Sequence, residues 1–134
     1  FVGNPPMNLI DCEARVEGDG LHLSAEGLAL PPLPVPEGLG RPGPLTLGIR
    51  PEHLSVAGTG GAEAQGAVRG RLFANENMGP ESLVTVERPG GRRLTARIFT
   101  DEPLGLGEAV GLAFAPRHLH LFGADGRRIA GRDG

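Results

Sequence analysis

His118 and His120 are the residues whose types and spacing could do chemistry. On an extended strand, side chains two positions apart point to the same face of the sheet, and imidazole nitrogens are common zinc ligands. A third ligand is not evident, because His53 matches His118 in an internal repeat and is expected in the other half of the domain. The sequence therefore predicts no metal site. The alternative interpretation is that His53 and His118 each satisfy the backbone at a turn that follows a proline.

Other common catalytic groups are missing or lack their usual context. The chain has no lysine, so it has neither a Walker A lysine to contact nucleotide phosphates nor an amine for Schiff-base formation. The three serines, Ser24, Ser55 and Ser82, do not stand in a nucleophile elbow, and Cys12 lies in an expected strand region without a neighbouring histidine. We therefore expect no catalytic residue, no bound cofactor and no enzymatic activity in this chain.

The composition is typical of one compact globular domain. Hydrophobic residues make up 39% and charged residues 22% of the 134 residues, and the net charge is −3. The single cysteine excludes an internal disulfide and fits a reducing compartment. Proteins that bind single-stranded nucleic acid combine a basic groove with stacking aromatic residues. This chain has no Trp or Tyr and a negative net charge, so no nucleic-acid partner is predicted.

Residues 45–54, LTLGIRPEHL, form the element around which the rest of the chain is organised. Apolar residues at positions 45, 47 and 49 alternate with small or polar ones, which predicts a strand with one face on the core. Pro51 ends the strand because it has no N–H to donate, and Glu52 stands where the first turn of a short helix would begin. The sequence thus predicts a strand that runs directly into a short helical turn.

Arg50 is the most informative polar residue of this element. Its side chain could contact an anion or a partner protein. Alternatively, it forms a structural ion pair with Glu52 or with another acidic residue nearby.

The same pattern of residues recurs 65 positions later in the chain. The matching pairs are Leu47 and Leu112, Ile49 and Phe114, Pro51 and Pro116, His53 and His118, and Leu54 and Leu119. A constant offset across a strand, a proline and a His-Leu pair predicts two pseudo-repeat units, around 45–56 and 110–121.

The remaining pattern predicts an all-β fold, with one or two short helical turns. Short alternating runs separated by glycine and proline are typical of a small barrel or sandwich. The predicted strands are 13–17, 21–24, 28–30, 45–49, 67–73, 83–88, 92–99, 108–115 and 118–122. Hairpin turns are expected at 18–20 and 89–91. Proline-rich residues 33–44 are expected to form a covering loop or a peptide ligand, and 58–66 a flexible connection.

Several motifs together resemble a known family. These are GNPPMN at 3–8, LGIRPEHL at 47–54, ESLV at 81–84 and HLF at 120–122. They are similar to the C-terminal regulatory (TOBE, OB-like) region of ATP-binding subunits from ABC importers of the carbohydrate type, which carry maltose or glycerol-3-phosphate. The resemblance implies an OB-like small barrel of interleaved strands. It also implies a lead-in over 1–8 from a nucleotide-binding domain outside this chain, a regulatory domain over 9–129 and a disordered tail over 130–134.

The resemblance implies a role as well as a fold. The chain would be a non-catalytic regulatory and dimerisation domain, peripheral at the cytoplasmic face of the membrane, in a parent transport ATPase that binds ATP and Mg²⁺ elsewhere. Its partners would be a second copy of the subunit, the transporter's membrane subunits and a possible regulatory protein. The family motif corresponds to Gly48, Arg50, Pro51, Glu52 and His53. Phe122, which ends the HLF motif, is a candidate partner contact or, alternatively, a core residue.

A second function remains open at this point. Related domains of molybdate-type importers bind the transported oxyanion, so the chain could instead be a small-ligand sensor. The candidate ligand residues for that function are Ser82, Thr85 and Arg97.

Overall fold

A computed structural model describes residues 6–56, 65–99 and 105–130. In these ranges the chain forms twelve β-strands and three turns of 3-10 helix. The strands are β1 Asn8–Glu17, β2 Gly20–Ser24, β3 Leu28–Ala29, β4 Leu33–Pro34, β5 Pro44–Ile49, β6 Ser55–Val56, β7 Gly66–Asn77, β8 Ser82–Arg88, β9 Arg92–Ile98, β10 Ala109–Phe114, β11 His120–Phe122 and β12 Arg128–Ala130. The 3-10 turns are Pro51–His53, Pro89–Gly91 and Pro116–His118. The predicted all-β fold is confirmed.

The strands form two antiparallel sheets that curl around one core. The first sheet has the order β12-β11-β5-β1-β2-β4, and the second has the order β6-β10-β7-β8-β9, with β3 also paired to β7. The alternation of β5 places Leu45, Leu47 and Ile49 in this core, as the sequence predicted. The side chains that are almost fully buried come from both sheets: Ile10, Leu21, Leu47, Ile49, Val68, Val84, Val86, Leu94, Leu112 and Phe114.

The two pseudo-repeat units are interleaved. In the first unit β5 belongs to the first sheet and β6 to the second, whereas in the second unit β10 belongs to the second sheet and β11 to the first. Each unit therefore crosses from one sheet to the other at its proline turn. β5 pairs with β11, and β10 pairs with β6.

The strand pairs that join the two units have equivalent registers. His120 lies opposite Gly48, and Ser55 lies opposite Ala113, which are equivalent pairs at the offset of 65 residues. This is the arrangement that a pseudo-twofold axis between the units requires, and it confirms the predicted repeat.

Asn8 joins the two sheets where β1 begins. Its side-chain amide donates to the carbonyl oxygen of Thr95 at 2.7 Å, and its side-chain oxygen accepts from the Thr95 backbone N–H at 2.8 Å. Thr95 lies in β9, the last strand of the second sheet. The Asn8 side chain thus replaces a neighbouring strand at this edge and helps to close the barrel.

The two predicted hairpin turns are confirmed, and each depends on glycine. β1 and β2 are joined through Gly18 and Asp19, with Gly18 at a φ of 61°. β8 and β9 are joined by Pro89–Gly91, where Gly90 and Gly91 have φ values of 83° and 77°. Positive φ is accessible to glycine without steric cost, which explains the residue type at these positions.

The structure differs from the expected strand pattern in several places. β6 was not expected, and β7 extends to Asn77. β1 begins at Asn8, so it is twice as long as the strand expected at 13–17. The loop expected at 33–44 contains β4, which pairs with β2. β12 follows the last turn and pairs with β11, where no strand was expected. In each case pairing with a neighbouring strand, which a local pattern does not report, stabilises the extended chain.

Parts of the predicted domain organisation lie outside the described residues. These are 1–5 of the lead-in, 57–64 and 100–104 of the regulatory domain, which include 58–64 of the connection, and 131–134 of the tail. None of the helical turns in the described ranges has the length or the apolar character of a membrane-spanning helix.

Candidate functional site

Gly48 lies where three of the sequence motifs meet. It belongs to β5, between Leu9 of β1 and His120 of β11. A Cβ atom at Gly48 would lie 2.5 Å from the Sδ atom of Met7 and 3.0 Å from the Cε2 atom of Phe122. The side chains of Met7, from the PPMN motif, and Phe122, from the HLF motif, therefore pack directly over Gly48 of LGIRPEHL. We call Met7, Leu9, Gly48 and Phe122 the Gly48 patch.

The Gly48 patch lies on the outer face of the first sheet. Phe122 is opposite Thr46 in the register and is half-buried, whereas its neighbour Leu121 faces the core and is buried. Leu9 is 60% exposed. The alternative that Phe122 belongs to the core is therefore wrong, and its role as a partner contact stays a prediction.

The two proline turns contact each other through their histidines. The rings of His53 and His118 have centroids 3.9 Å apart and an interplanar angle of 66°, an edge-to-face arrangement. In each turn the backbone N–H of the histidine donates to the backbone carbonyl oxygen three residues earlier, at 3.0 Å. The expectation that these histidines lie apart in separate halves is wrong, because the interleaved units bring both turns to the pseudo-twofold axis.

His118 and His120 do not form the shared face that an extended strand would give them. His118 ends the third 3-10 turn, and only His120 belongs to β11, where it is 2% exposed. The Nη2 of Arg128 donates to Nδ1 of His120 at 2.8 Å, because a guanidinium has no acceptor. Among the described residues, no three His, Cys, Asp or Glu side chains are grouped so that they could hold a metal ion.

Among the described residues, Arg50 has no partner for the ion pair that was one of its two interpretations. It is half-buried and precedes the first 3-10 turn, and Glu52 is exposed. In the described part of the chain, no ion pair joins Arg50 to Glu52 or to another carboxylate. The interpretation as an anion or partner contact is untested and stays a prediction.

Two models of known protein families match this chain. A family model described as the TOBE domain matches residues 47–122, and a model described as the MalK OB fold domain matches residues 3–54. This chain belongs to the TOBE-domain family. The first match contains both pseudo-repeat units, and the second contains Met7 and Gly48. The OB-like barrel implied by the resemblance is confirmed.

The curated relatives of this chain include ATP-binding proteins of import systems. The sn-glycerol-3-phosphate import ATP-binding protein UgpC of Bordetella pertussis is 37% identical over 98% of this chain and 35% of its own length. UgpC of Yersinia pestis is 38% identical over 96% of this chain and 34% of its own length. UgpC of Rhizobium meliloti is 33% identical, again over 96% of this chain. The predicted family resemblance is confirmed, and the chain spans about a third of the length of these relatives.

A solved structure shares the fold of the TOBE domain. The cytoplasmic molybdate-binding protein ModG superposes with a TM-score of 0.58 over 85% of this chain and 94% of that one. The sequence identity is 10%, so this likeness shows the fold alone.

The candidate oxyanion residues of the TOBE domain are not gathered into one pocket. Ser82 and Thr85 are three positions apart on β8, so their side chains point to opposite faces of the sheet. Arg97, opposite Leu83 on β9, lies with its Nε 3.7 Å from Oε1 of Glu81. The structure therefore separates Ser82 from the other two residues, and the sensor alternative is not favoured.

Cys12 of the TOBE domain is chemically protected. It is 5% exposed, and its thiol lies 3.4 Å from the Ile10 carbonyl oxygen. Burial raises the pKa of the Cys12 thiol to about 11, although the positive charge of Arg88 acts in the opposite direction. At neutral pH the group is a thiol rather than a nucleophilic thiolate.

Three residues important to the TOBE domain were not singled out from the sequence. Met7 and Asn8 belong to the PPMN motif, but neither was assigned a contact. The burial of Asn8 could have been predicted, because Asn8 is two residues before Ile10 and so points to the same, buried face of β1. Arg88 alternates with the buried residues Val84 and Val86 on β8, but it was not expected in the interior because charged residues usually lie on the surface.

Proposed function

We propose that this TOBE domain is a non-catalytic regulatory and dimerisation domain of a carbohydrate-type ABC importer's ATP-binding subunit. The supporting observation is the 37% identity to a glycerol-3-phosphate import ATP-binding protein, which extends over 98% of the chain. The chain also lacks lysine, so the Walker A chemistry of such a subunit must be supplied by another part of the protein.

The proposed mechanism is mechanical. Two copies of the domain pair through the same surface on each, as a twofold dimer requires. The pair acts as the fixed hinge while the nucleotide-binding domains, which hold ATP and Mg²⁺, open and close. A regulatory protein that binds the pair in only one of these states biases the equilibrium between them by its difference in affinity.

The proposal also gives the domain a location and a set of neighbours. It lies at the cytoplasmic face of the membrane as a peripheral part of the transporter. It reaches the membrane subunits through the nucleotide-binding domain. No nucleic acid takes part.

Fractionation of source cells tests this function. An antibody raised against the 134-residue chain is used to blot membrane and supernatant fractions. We expect a band far heavier than 13.9 kDa that sediments with the membrane. A soluble band near that mass would contradict the proposal, because it would show a free-standing domain.

The Gly48 patch is the proposed contact surface, and Phe122→Ala tests it. Phe122 is half-buried on an outer face beside Leu9, which is 60% exposed, so a partner could bury both side chains. We expect Phe122→Ala to weaken pairing of the subunit, or its binding of a regulatory protein, in sedimentation velocity experiments. Phe99→Ala is a matched control, because Phe99 is 74% exposed and follows β9 of the other sheet. Unchanged pairing and partner binding in Phe122→Ala would remove Phe122 from the interface.

A further inference from the structure

The last part of β7 extends away from the core. Residues 73–81, which we call the β7 arm, complete this strand and turn into β8. Every residue from Phe73 to Pro80 is exposed, and the apolar side chains of Phe73 and Met78 are 47% and 40% exposed. The N–H of Met78 donates to the Glu81 carbonyl oxygen at 2.9 Å, which closes the turn. Pairing with β8, rather than burial, therefore orders the β7 arm.

The β7 arm has one open edge. β10 pairs with this edge of β7 as far as Arg71, and the N–H of Leu72 then donates to the Glu108 carbonyl oxygen at 2.9 Å. Beyond Leu72, no strand in the described part of the chain pairs with it. The strands at the other sheet ends are short, as in β4, β6 and β12, or are bonded to a side chain, as β9 is to Asn8. An open edge is a template on which another strand can pair.

The pairing pattern shows which backbone groups point to the open edge. The N–H and C=O of Thr95 bond to a side chain of β1, so they point away from β8. Successive residues of an antiparallel strand direct these groups to alternate sides. Thr85, opposite Thr95, therefore bonds to β7, where it lies opposite Ala74. Because Ala74 bonds to β8, the backbone groups of Asn75 and Asn77 point to the open edge.

We propose that the open edges of two copies of this chain pair with each other, antiparallel and centred on Glu76. In this register Asn75 of each copy lies opposite Asn77 of the other, so every N–H and C=O that points to the edge gains a partner. A register centred on Asn75 would instead place Asn77 opposite the bulged Phe73. The contact uses the same surface on each copy, as a twofold axis requires. It rests on the proposed function, because it names the surface through which two subunits pair.

Glu76 makes this pairing weak and reversible. It is exposed, and no ion pair in the described part of the chain includes it. At the twofold axis it faces Glu76 of the second copy, and like charges directly opposite each other on paired strands repel. Two short arms also bury less than the roughly 1,000 Å² of a stable interface. Pairing therefore needs the high effective concentration that a transporter holding two subunits together provides.

Disulfide cross-linking tests where the two copies meet. In Glu76→Cys the two new thiols face each other across the axis, at a separation that a disulfide can span. The native Cys12 is 5% exposed and does not compete for the oxidant. Glu13→Cys, at an exposed position on β1 of the other sheet, is the matched control. Under mild oxidation we expect Glu76→Cys to form covalent dimers about tenfold faster than Glu13→Cys.

Changes of charge at position 76 test the register. Sedimentation equilibrium of the concentrated 134-residue chain should show about fivefold stronger association for Glu76→Gln than for the unchanged chain, because the repulsion is removed. Glu76→Lys alone should gain nothing, since two lysines repel as two glutamates do. A mixture of Glu76→Lys with the unchanged chain should associate about tenfold more strongly, because opposite charges then meet. Glu13→Gln and Glu13→Lys should have neither effect.

The outcomes separate this surface from the proposed function. Equal cross-linking rates at positions 76 and 13, or a mixture that associates no better than its components, would overturn pairing through the β7 arm. The same cross-linking is therefore repeated in the full-length subunit. A full-length subunit that pairs without cross-linking at position 76 would remove this surface and leave the proposed function intact. A free-standing soluble chain that cross-links at position 76 would confirm the surface and contradict the proposed function.

Discussion

His53 and His118 are 65 residues apart in sequence, yet their rings meet with centroids 3.9 Å apart. The contact joins the two proline turns at the pseudo-twofold axis. Because each turn carries its chain from one sheet to the other, this pair connects the two crossovers of the barrel.

A double-mutant cycle on this pair measures the connection between the turns. We expect His53→Ala and His118→Ala to show a coupling free energy of about 0.5–1.5 kcal/mol in urea unfolding, since each substitution removes the same edge-to-face contact. His22→Ala is the control partner, because His22 lies in β2 beside Glu17. It should be additive with His53→Ala. Full additivity of His53→Ala and His118→Ala would show that the ring contact contributes nothing.

The bridge from Asn8 to Thr95 should contribute strongly to stability. We expect Asn8→Ala to lower the free energy of unfolding by about 2–3 kcal/mol, because it leaves a backbone N–H and a carbonyl of β9 without partners. Asn8→Asp keeps the acceptor for the Thr95 N–H and loses only the donor, so it tests the two bonds separately. Urea unfolding gives both values, and Asn75→Ala on exposed β7 is the control. A loss equal to that of the control would mean that the barrel closes without this bridge.

Two glycines should respond differently to the same substitution. A Cβ at Gly70 would lie 2.5 Å from the carbonyl oxygen of Glu87, so β7 and β8 would have to move apart. A Cβ at Gly48 meets the Sδ atom of Met7 at the same distance, but Met7 has a flexible side chain that can turn away. We expect Gly70→Ala to cost about 2–3 kcal/mol and Gly48→Ala about 1 kcal/mol.

Thermal and urea unfolding of a second variant test whether Met7 causes the loss of stability in Gly48→Ala. Met7→Ala in the Gly48→Ala background removes the blocking atom and should recover most of the loss. Neither glycine has a positive φ, so strain of the new residue does not confuse the comparison. An equal cost at both positions would contradict the difference between backbone and side-chain obstacles.

Cys12 should make the domain less stable at alkaline pH. Its pKa is raised to about 11 in the folded chain by burial, whereas the unfolded thiol titrates at its ordinary, lower value. Below that ordinary value both states hold the proton and stability is complete. As the pH rises towards 11, only the unfolded state loses its proton, so we expect a loss of about 2–3 kcal/mol.

The alkaline range is free of other side chains that would obscure this effect. The chain has no lysine and no tyrosine, and these are the residues that usually titrate there. Urea unfolding between pH 8 and 11 measures the slope, and Cys12→Ala should flatten it. A slope that persists in Cys12→Ala would assign the loss to another group.

Much of the fold could be predicted from short stretches of sequence. The alternation of residues 45–49 and the proline at position 51 predicted the central strand and its turn, and glycines predicted the two hairpins. These features depend on φ, ψ and side-chain direction, which are local properties of a few residues. The repeat could also be predicted, because a constant offset is visible in the sequence.

Other elements depended on distant pairing. β12 is three residues long, and it exists because β11 lies beside it. The first half of β1 follows two prolines and begins with the polar Asn8, whose partner is 87 residues away. Neither strand has a local pattern strong enough to predict it.

The sequence by itself determined β5 and β10, the central strands of the two repeat units, the proline turns that follow them, the absence of lysine chemistry and the membership of the family. Only the tertiary structure decided that the units exchange strands and that Met7 and Phe122 both pack over Gly48. It also decided that the rings of His53 and His118 are in contact and that Arg88 is buried beside a cavity. The physical reason is that backbone conformation follows from neighbouring residues, whereas burial and contact depend on which strands the folded chain brings side by side.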